Sequence, residues 1–351
     1  MDRKLTLGMI GAGTWGIGHH LPWFVRRDDV EPLIVCRRDP ELLELARTKF
    51  GFARATTDWR EVIAAKPDMV SIPGPVGPRA EQIRAALEAG IHVLAEKPFV
   101  KDPADAWALE ALARERGLVL MVCYGYNETE AVETARRLLR EDGGVGRLEH
   151  VTCVMASGVR DLLTSGRAYP GSSTDSPPRA ETWGDPQISG GGYGQGQLTH
   201  GLGLLFRLID EKPTQVAAFT NHGDGEAVEL HDAIALKLEN GITGTVSGAA
   251  FPPATFGYHH QVVLTVTGSE GQLQIDMDRN TVRRSKASGE DIIREIPHGE
   301  WSFAAVIDRF VDLVAGKTQE NRSPGELGAR VVDVLDAMER SAQTGTIIRI
   351  R

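Results

Sequence analysis

LTLGMIGAGTWG, residues 5–16, decides the fold. Its first half is a short apolar run of strand length, and its second half is the turn Gly11-Ala12-Gly13-Thr14-Trp15-Gly16, after which a helical pattern begins. Strand, tight glycine turn and helix in this order provide the setting in which a G-x-G-x-x-G binds a dinucleotide. Gly11 permits the turn, Gly13 lets a pyrophosphate approach the backbone, and Gly16 lets the helix pack closely on the strand. The free N–H groups of the helix start face the phosphates. Thr14 and Trp15, in the same turn, are expected to face the cofactor with the glycines.

The alternation continues outward from this turn. Apolar runs at 30–36, 68–72, 91–95 and 118–122 are separated by helical stretches near 40–49, 58–65, 79–89 and 103–116. Strands alternating with helices of this length predict a parallel sheet with helices on both faces. Gly90 and Gly117 read as C-caps, and Asp102-Pro103 as an N-cap followed by a first-turn proline. A carboxylate that binds a ribose 2′-hydroxyl belongs about 20 residues beyond the glycine turn, at the end of the second strand. The chain there reads Cys36-Arg37-Arg38. Two guanidiniums and no acid suit a dianionic 2′-phosphate, which favours NADP over NAD.

Beyond residue 125 the pattern changes. A helix over 130–141 is followed by strand runs at 147–157, 213–221, 228–239, 243–251, 258–268 and 271–277, with a hairpin signal at Asn240-Gly241. Consecutive strands with short turns predict an α+β layout around an open, largely antiparallel sheet. Residues 157–189, rich in Gly, Ser and Pro and without a period, read as a binding loop or lid over the substrate, or reaching a neighbouring subunit. Within it, Tyr169 and Trp183 are candidates to stack on a bound ring. The expected division is therefore a Rossmann dinucleotide-binding domain over 1–124 and an α+β domain over 125–351.

Composition removes several function classes. The chain has 351 residues, with 39 Lys and Arg against 48 Asp and Glu, a formal net charge of −9. An acidic chain without a basic block is a poor binder of nucleic-acid backbones. No apolar run is long enough to span a membrane, and the start reads as a strand rather than a secretory leader. Three cysteines, Cys36, Cys123 and Cys153, have no metal-site spacing and point to a reducing, cytoplasmic setting. The histidine pairs His19-His20 and His259-His260 read as structural, and no metal is expected.

Glu96-Lys97-Pro98 closes the fifth strand, a helix and strand follow, and Gly125-Tyr126-Asn127 comes next. With the glycine turn, GGGYGQGQLTH (190–200), VTGSEGQLQID (266–276) and the last helix over 327–345, this series resembles the Gfo/Idh/MocA oxidoreductases over nearly the whole chain. The resemblance implies hydride transfer between a nicotinamide and a secondary alcohol or ketone of a sugar, cyclitol or derivative. It implies cofactor contacts from Gly74, Pro75, Glu96, Lys97, Pro98 and Asn127, a small-molecule substrate, and a homodimer or homotetramer built on one sheet face. It also matches His200 to the family's catalytic histidine. Three departures stand out. Gly196 occupies the position of an Asp usual four residues before that histidine, Arg79 falls where a His is common, and Glu128-Thr129 replaces Arg-Phe.

Hydride transfer at an oxygen-bearing carbon requires a group to move the hydroxyl proton and a donor to hold the oxygen. Lys97, at the carboxyl end of a central strand, is expected to polarise that oxygen. His200, in the first turn of a helix with an apolar stripe at Leu204, Leu205, Leu208 and Ile209, is expected to be a neutral base because the helix dipole disfavours imidazolium. Without the Asp, His200 acts alone with Gln197 or Thr199 orienting the substrate, or Tyr126 or Tyr193 takes the acid role, or the chemistry differs. Thr199-His200-Gly201-Leu202-Gly203 is also similar to a run in NAD-dependent glycosidases of the same superfamily, which use transient oxidation and elimination. The arginine pair weighs against a tightly held NAD. A non-catalytic dinucleotide-binding protein is the other alternative.

Overall fold

The computed structural model describes residues 3–167, 174–253, 260–297 and 303–350. Six strands form the first sheet: β1 (Leu5–Ile10), β2 (Val30–Cys36), β3 (Arg54–Thr56), β4 (Met69–Ile72), β5 (His92–Ala95) and β6 (Leu120–Val122). Their order is β3-β2-β1-β4-β5-β6 and every pairing is parallel. The order reverses between β1 and β4, and a crevice outside the carboxyl ends of strands at such a reversal is where open α/β sheets bind ligands. The expected helices lie at Pro40–Lys49, Trp59–Ala64, Arg79–Glu88 and Pro103–Glu115. Asp102 caps the last of these, its side chain accepting from Ala104 N at 2.7 Å. The edge strand β3 was not expected, since three residues with one buried side chain leave no readable alternation.

The second sheet has nine strands: β7 (Leu148–Ser157), β8 (Pro213–Asn221), β9 (His231–Leu238), β10 (Thr243–Ala250), β11 (Gln261–Gly268), β12 (Gly271–Asp276), β13 (Thr281–Lys286), β14 (Asp291–Glu295) and β15 (Ile348–Arg349). They run in the order β14-β13-β12-β11-β7-β10-β9-β8-β15, with β7 and β10 parallel and all other pairs antiparallel. Asn240 and Gly241 join β9 to β10 with φ of 57° and 80°, as a hairpin turn with two left-handed residues requires. β13 escaped the sequence reading because its inward Arg284 breaks the apolar alternation. That guanidinium is fully buried, yet it donates to the carbonyls of Leu138 and Glu141 at 2.7 and 2.9 Å and to Glu290 at 2.7 Å.

Helices Glu130–Arg140, Thr199–Leu208 and Gly325–Thr344 pack against one face of this sheet. The opposite face alternates small and polar residues but presents Phe219, 81% exposed, and Val154. The chain then returns to its beginning. Helix Phe303–Val314 buries Val306, Ile307, Phe310 and Val311 in one core with Leu7, Met9, Leu21 and Phe24 of the first sheet's own layer. No described helix is long and apolar enough to cross a membrane.

Candidate active site

The glycine turn sits at the reversal of the first sheet. Gly11 has φ of 97°, and a Cβ there would lie 2.5 Å from the Cα of Gly74, which follows β4. A side chain on Gly16 would press on the Gly11 carbonyl at 3.0 Å and on Pro73. At Gly13 the nearest atom to an added Cβ is the Gly11 oxygen at 3.9 Å, so the space in front of it is open. That is the opening through which a pyrophosphate would meet the backbone, and the residues therefore fit a dinucleotide. The helix that follows begins as a π-turn over Gly16–His20. π-turns concentrate at functional sites and have no simple sequence signal.

A cavity of about 600 Å³ runs from this turn across the switch point. Gly11, Gly13, Thr14, Trp15, Arg37, Arg38, Gly74, Pro75, Glu96, Lys97, Pro98, Trp183 and Gly196 all line it. Arg37 is half-buried. Its guanidinium donates to the Ala12 carbonyl and to Ser176 Oγ, so it braces the glycine turn, while Arg38 beside it is exposed. The nearest carboxylate, Asp39, also lines the cavity. It caps helix Pro40–Lys49 by accepting from Leu42 N at 3.1 Å and faces Arg179 at 3.6 Å.

Lys97 is buried on the cavity wall. Its ammonium donates to the Gly196 carbonyl at 2.9 Å and stands 5.5 Å from the centroid of the Trp15 ring. An ammonium has three N–H donors, so two further ones can serve a bound molecule. Burial is the main influence lowering the Lys97 pKa below the ordinary lysine value, and the Glu96 charge opposes it. Glu96 pairs with His20 Nε2 at 3.3 Å, whose Nδ1 meets Ser71 Oγ at 2.9 Å. Burial raises the Glu96 pKa, but His20, Lys97 and Arg79 together hold it low.

Arg79 was noted in the sequence only as a departure, and the structure gives it a role. Fully buried, it donates to the carbonyls of Glu96, Pro98 and Gly74, tying the loop after β4 to the Glu96-Lys97-Pro98 turn. Burial lowers its pKa to about 10. Glu229 was missed altogether. Its carboxylate accepts from the N–H groups of Gly192 and Gly194 at 2.8–3.0 Å, and a Cβ on Gly192 would strike the Glu229 carbonyl at 2.0 Å. Glu229 thus fixes the start of a second π-turn, Gly194–Leu198, which carries Gly196 to Lys97. No local pattern announces either residue, because each acts on backbone distant in sequence.

His200 lies one turn after Gly196, buried, its ring edge-on to Tyr126 with centroids 5.7 Å apart. Its pKa is well below the ordinary histidine value, as expected, but the reason differs. Helix Thr199–Leu208 continues out of the π-turn, so His200 is not at an open helix start. Burial is the main cause, followed by the charges of Lys97 and His260. A Cβ on Gly196 would meet only Leu163, at 3.8 Å, so no backbone contact requires glycine there. Gly201 and Gly203 sit where a Cβ would crowd Cys153 and Tyr124, which gives the run after His200 a packing origin.

The structure does not bring every expected residue to the cavity. Asn127 is fully buried, and its amide donates to Ser323 Oγ at 3.1 Å and the Arg322 carbonyl at 3.4 Å, so it stands behind the site rather than on the cofactor path. The Tyr193 hydroxyl meets Ser157 Oγ at 2.9 Å and the Met155 carbonyl at 3.2 Å, inside the second sheet, which removes it as an acid. Tyr126, Gln197, Thr199 and His200 itself are buried together without lining the cavity. Trp183 does line it, but packs edge-on against Trp15 with centroids 6.2 Å apart. Tyr169 and His259 lie outside the described residues. His20, Glu96 and Cys123 are close enough to share a cation. The His20–Glu96 pair and the neighbouring charges of Lys97 and Arg79 occupy that ground instead.

Two family models match the chain: an oxidoreductase family with an NAD-binding Rossmann fold over residues 5–124, and the GFO/IDH/MocA C-terminal domain over 132–274. The dTDP-3,4-didehydro-2,6-dideoxy-alpha-D-glucose 3-reductase of Streptomyces violaceoruber is 30% identical over 361 residues, spanning 97% of this chain and 96% of that one. The levoglucosan dehydrogenase of Pseudarthrobacter phenanthrenivorans is 34% identical over 155 residues, spanning 42% of this chain and 39% of that one. A levoglucosan dehydrogenase solved with NADH superposes with a TM-score of 0.80 at 21% identity, over 99% of this chain and all of that one.

Proposed function

Because the chain belongs to the Gfo/Idh/MocA oxidoreductase family, we propose that it is an NAD(P)-dependent enzyme moving a hydride to or from a secondary alcohol or ketone of a sugar, cyclitol or sugar derivative. The observation that carries this reading is the meeting of Lys97 with the Gly196 carbonyl on the cavity wall, one turn before a neutral, buried His200. Gly11, Gly13 and the loop at Gly74-Pro75 would hold the pyrophosphate, with Arg37 and Arg38 at the adenosine end. When bound, the dinucleotide supplies the hydride acceptor or donor. Lys97 donates an N–H to the reacting oxygen, and His200 takes or returns the hydroxyl proton. Trp183, on the cavity wall, bounds the sugar. The first 124 residues carry most of the cofactor site, and the remainder serves chiefly the substrate and subunit contact.

The arginines after β2 and the absence of a carboxylate at Cys36 support NADP as the preferred cofactor. Three free, buried thiols support a reducing, cytoplasmic setting. The test is a panel of sugars, aminosugars and cyclitols offered with NAD and with NADP, read by nicotinamide absorbance. Turnover of a carbohydrate with a higher kcat/KM for NADP is expected. Cofactor binding without turnover of any carbohydrate would overturn the enzymatic reading.

The open sheet face supports a homo-oligomer. Phe219 and Val154 stand exposed in one register row of that face, separated by the small residues Ala233 and Ser247, a row that a second copy of the sheet could cover. Phe219→Arg is expected to shift the mass measured by light scattering from a dimer or tetramer to a smaller species. An unchanged mass would place the subunit contact elsewhere.

A further inference from the structure

The described part of the long segment before the second π-turn does not stay at the substrate end. Residues 174–179 cross to the far end of the cavity and dock on the elements that follow β2. Asp175 pairs with Lys49 at 2.5 Å, on helix Pro40–Lys49. Ser176, almost fully buried, accepts from the Arg37 guanidinium at 3.0 Å. Arg179 faces Asp39, the cap of the same helix, at 3.6 Å. Ser176, Pro177, Pro178 and Arg179 line the same cavity as Arg37, Arg38 and Asp39. Three successive polar links therefore join one short segment from the distal half to one corner of the proximal half.

We propose that Arg179 is a specificity-determining residue for the adenosine ribose, completing with Arg38 a pocket for a 2′-phosphate that the proximal half does not finish alone. This rests on the reading that a dinucleotide lies along the cavity with its adenosine at that corner. Asp39 is the reason a third guanidinium is needed. As a helix cap it must stay where it is, on the cavity wall, where its carboxylate repels a phosphate dianion and is an acceptor for a free 2′-hydroxyl. Arg179 faces the Asp39 oxygen Oδ2, while the other oxygen, Oδ1, accepts from the capped backbone N–H. It offsets the repulsion and adds a planar donor pair of the kind phosphates favour. The Arg179–Asp39 pair is largely exposed, so its own share of fold stability is small. Its effect falls on the ligand. Ser176 holds the Arg37 guanidinium against the glycine turn, leaving Arg38 and Arg179 as the groups that reach the phosphate.

The full-length protein is titrated by calorimetry with adenosine 2′,5′-bisphosphate and with 5′-AMP, which needs no sugar substrate. Arg179→Ala is expected to raise the Kd of the bisphosphate about tenfold while changing that of 5′-AMP less than about twofold, since only the former carries the dianion that Arg179 meets. Asp39→Asn in the same background is expected to recover much of the loss, because asparagine keeps the helix cap and removes the charge. An unchanged ratio of the two Kd values in Arg179→Ala overturns the proposal. So does equal weakening of both probes, which would mark the segment as a structural strap. Arg38→Ala separates this from the underlying reading. If Arg38→Ala selectively weakens the bisphosphate and Arg179→Ala does not, only the proposal falls. If wild-type protein binds neither probe, the placement of the adenosine falls with it.

Discussion

Lys97→Met is expected to lower kcat about a thousandfold without unfolding the protein. From the cavity wall the ammonium reaches across to the π-turn that leads into the helix carrying His200. In the transition state the reacting oxygen gains negative character, and a positioned cation in a water-poor site is worth far more there than in solution. Methionine keeps the length of the side chain and removes both the charge and the donor. Tm should fall only modestly, because burial already disfavours the charged lysine while His20 and Arg79 remain to hold Glu96. A structural lysine would show the reverse pattern, a lost Tm with turnover retained, and that result would remove Lys97 from the chemistry. pH adds a second reading. Because burial pulls the Lys97 pKa below 10.5, activity that needs the ammonium fades on the alkaline side before an ordinary lysine would titrate. That limb should be absent from the residual activity of the methionine variant.

His200→Asn is expected to lower kcat/KM by about two to three orders of magnitude, the range of a lost general base. Asparagine can still hydrogen-bond but cannot take a proton, so substrate binding should survive better than turnover. The histidine is held neutral by burial and by Lys97, so the acid limb of the wild-type profile falls below pH 6.5. The same burial links to stability. Below pH 6.5 the unfolded chain protonates this histidine while the folded chain resists, so the unfolded state binds more protons and stability falls. The contribution is complete above pH 6.5 and lost progressively beneath it. Thermal melts of wild type and His200→Asn should therefore converge as pH is lowered through that region. Near-normal turnover in His200→Asn would leave Tyr126, the neighbouring ring, as the group to test for the proton.

Much of the cofactor half is legible in sequence because its chemistry is local. The glycine turn, the arginines after β2 and the Glu96-Lys97-Pro98 turn each lie within a few residues of the strand end that positions them. The strand and helix spacing before residue 124 follows from apolar runs that are buried on both sides. Other parts are silent because they act at a distance. Arg79 binds carbonyls of Gly74, Glu96 and Pro98 across two loops, and Glu229 caps backbone at Gly192 and Gly194 from the other side of the site. The second π-turn starts from the Glu229 contact, which composition does not announce. His200 illustrates a right direction from an incomplete cause. Its neutrality was expected from a helix start, but the helix has no start there, and burial supplies the effect. Asn127 sits in the expected motif, yet Ser323 has claimed its amide.

The return of the chain through Phe303–Val314 bears on how such enzymes can be recombined. Val306, Ile307, Phe310 and Val311 cover Leu7, Met9 and Phe24, so the nucleotide module borrows part of its hydrophobic lining from the far end of the gene. A chimera spliced once after β6 would leave that lining mismatched. A working graft must transplant two separate pieces of coding sequence, the leading strands and this late helix, as a matched set.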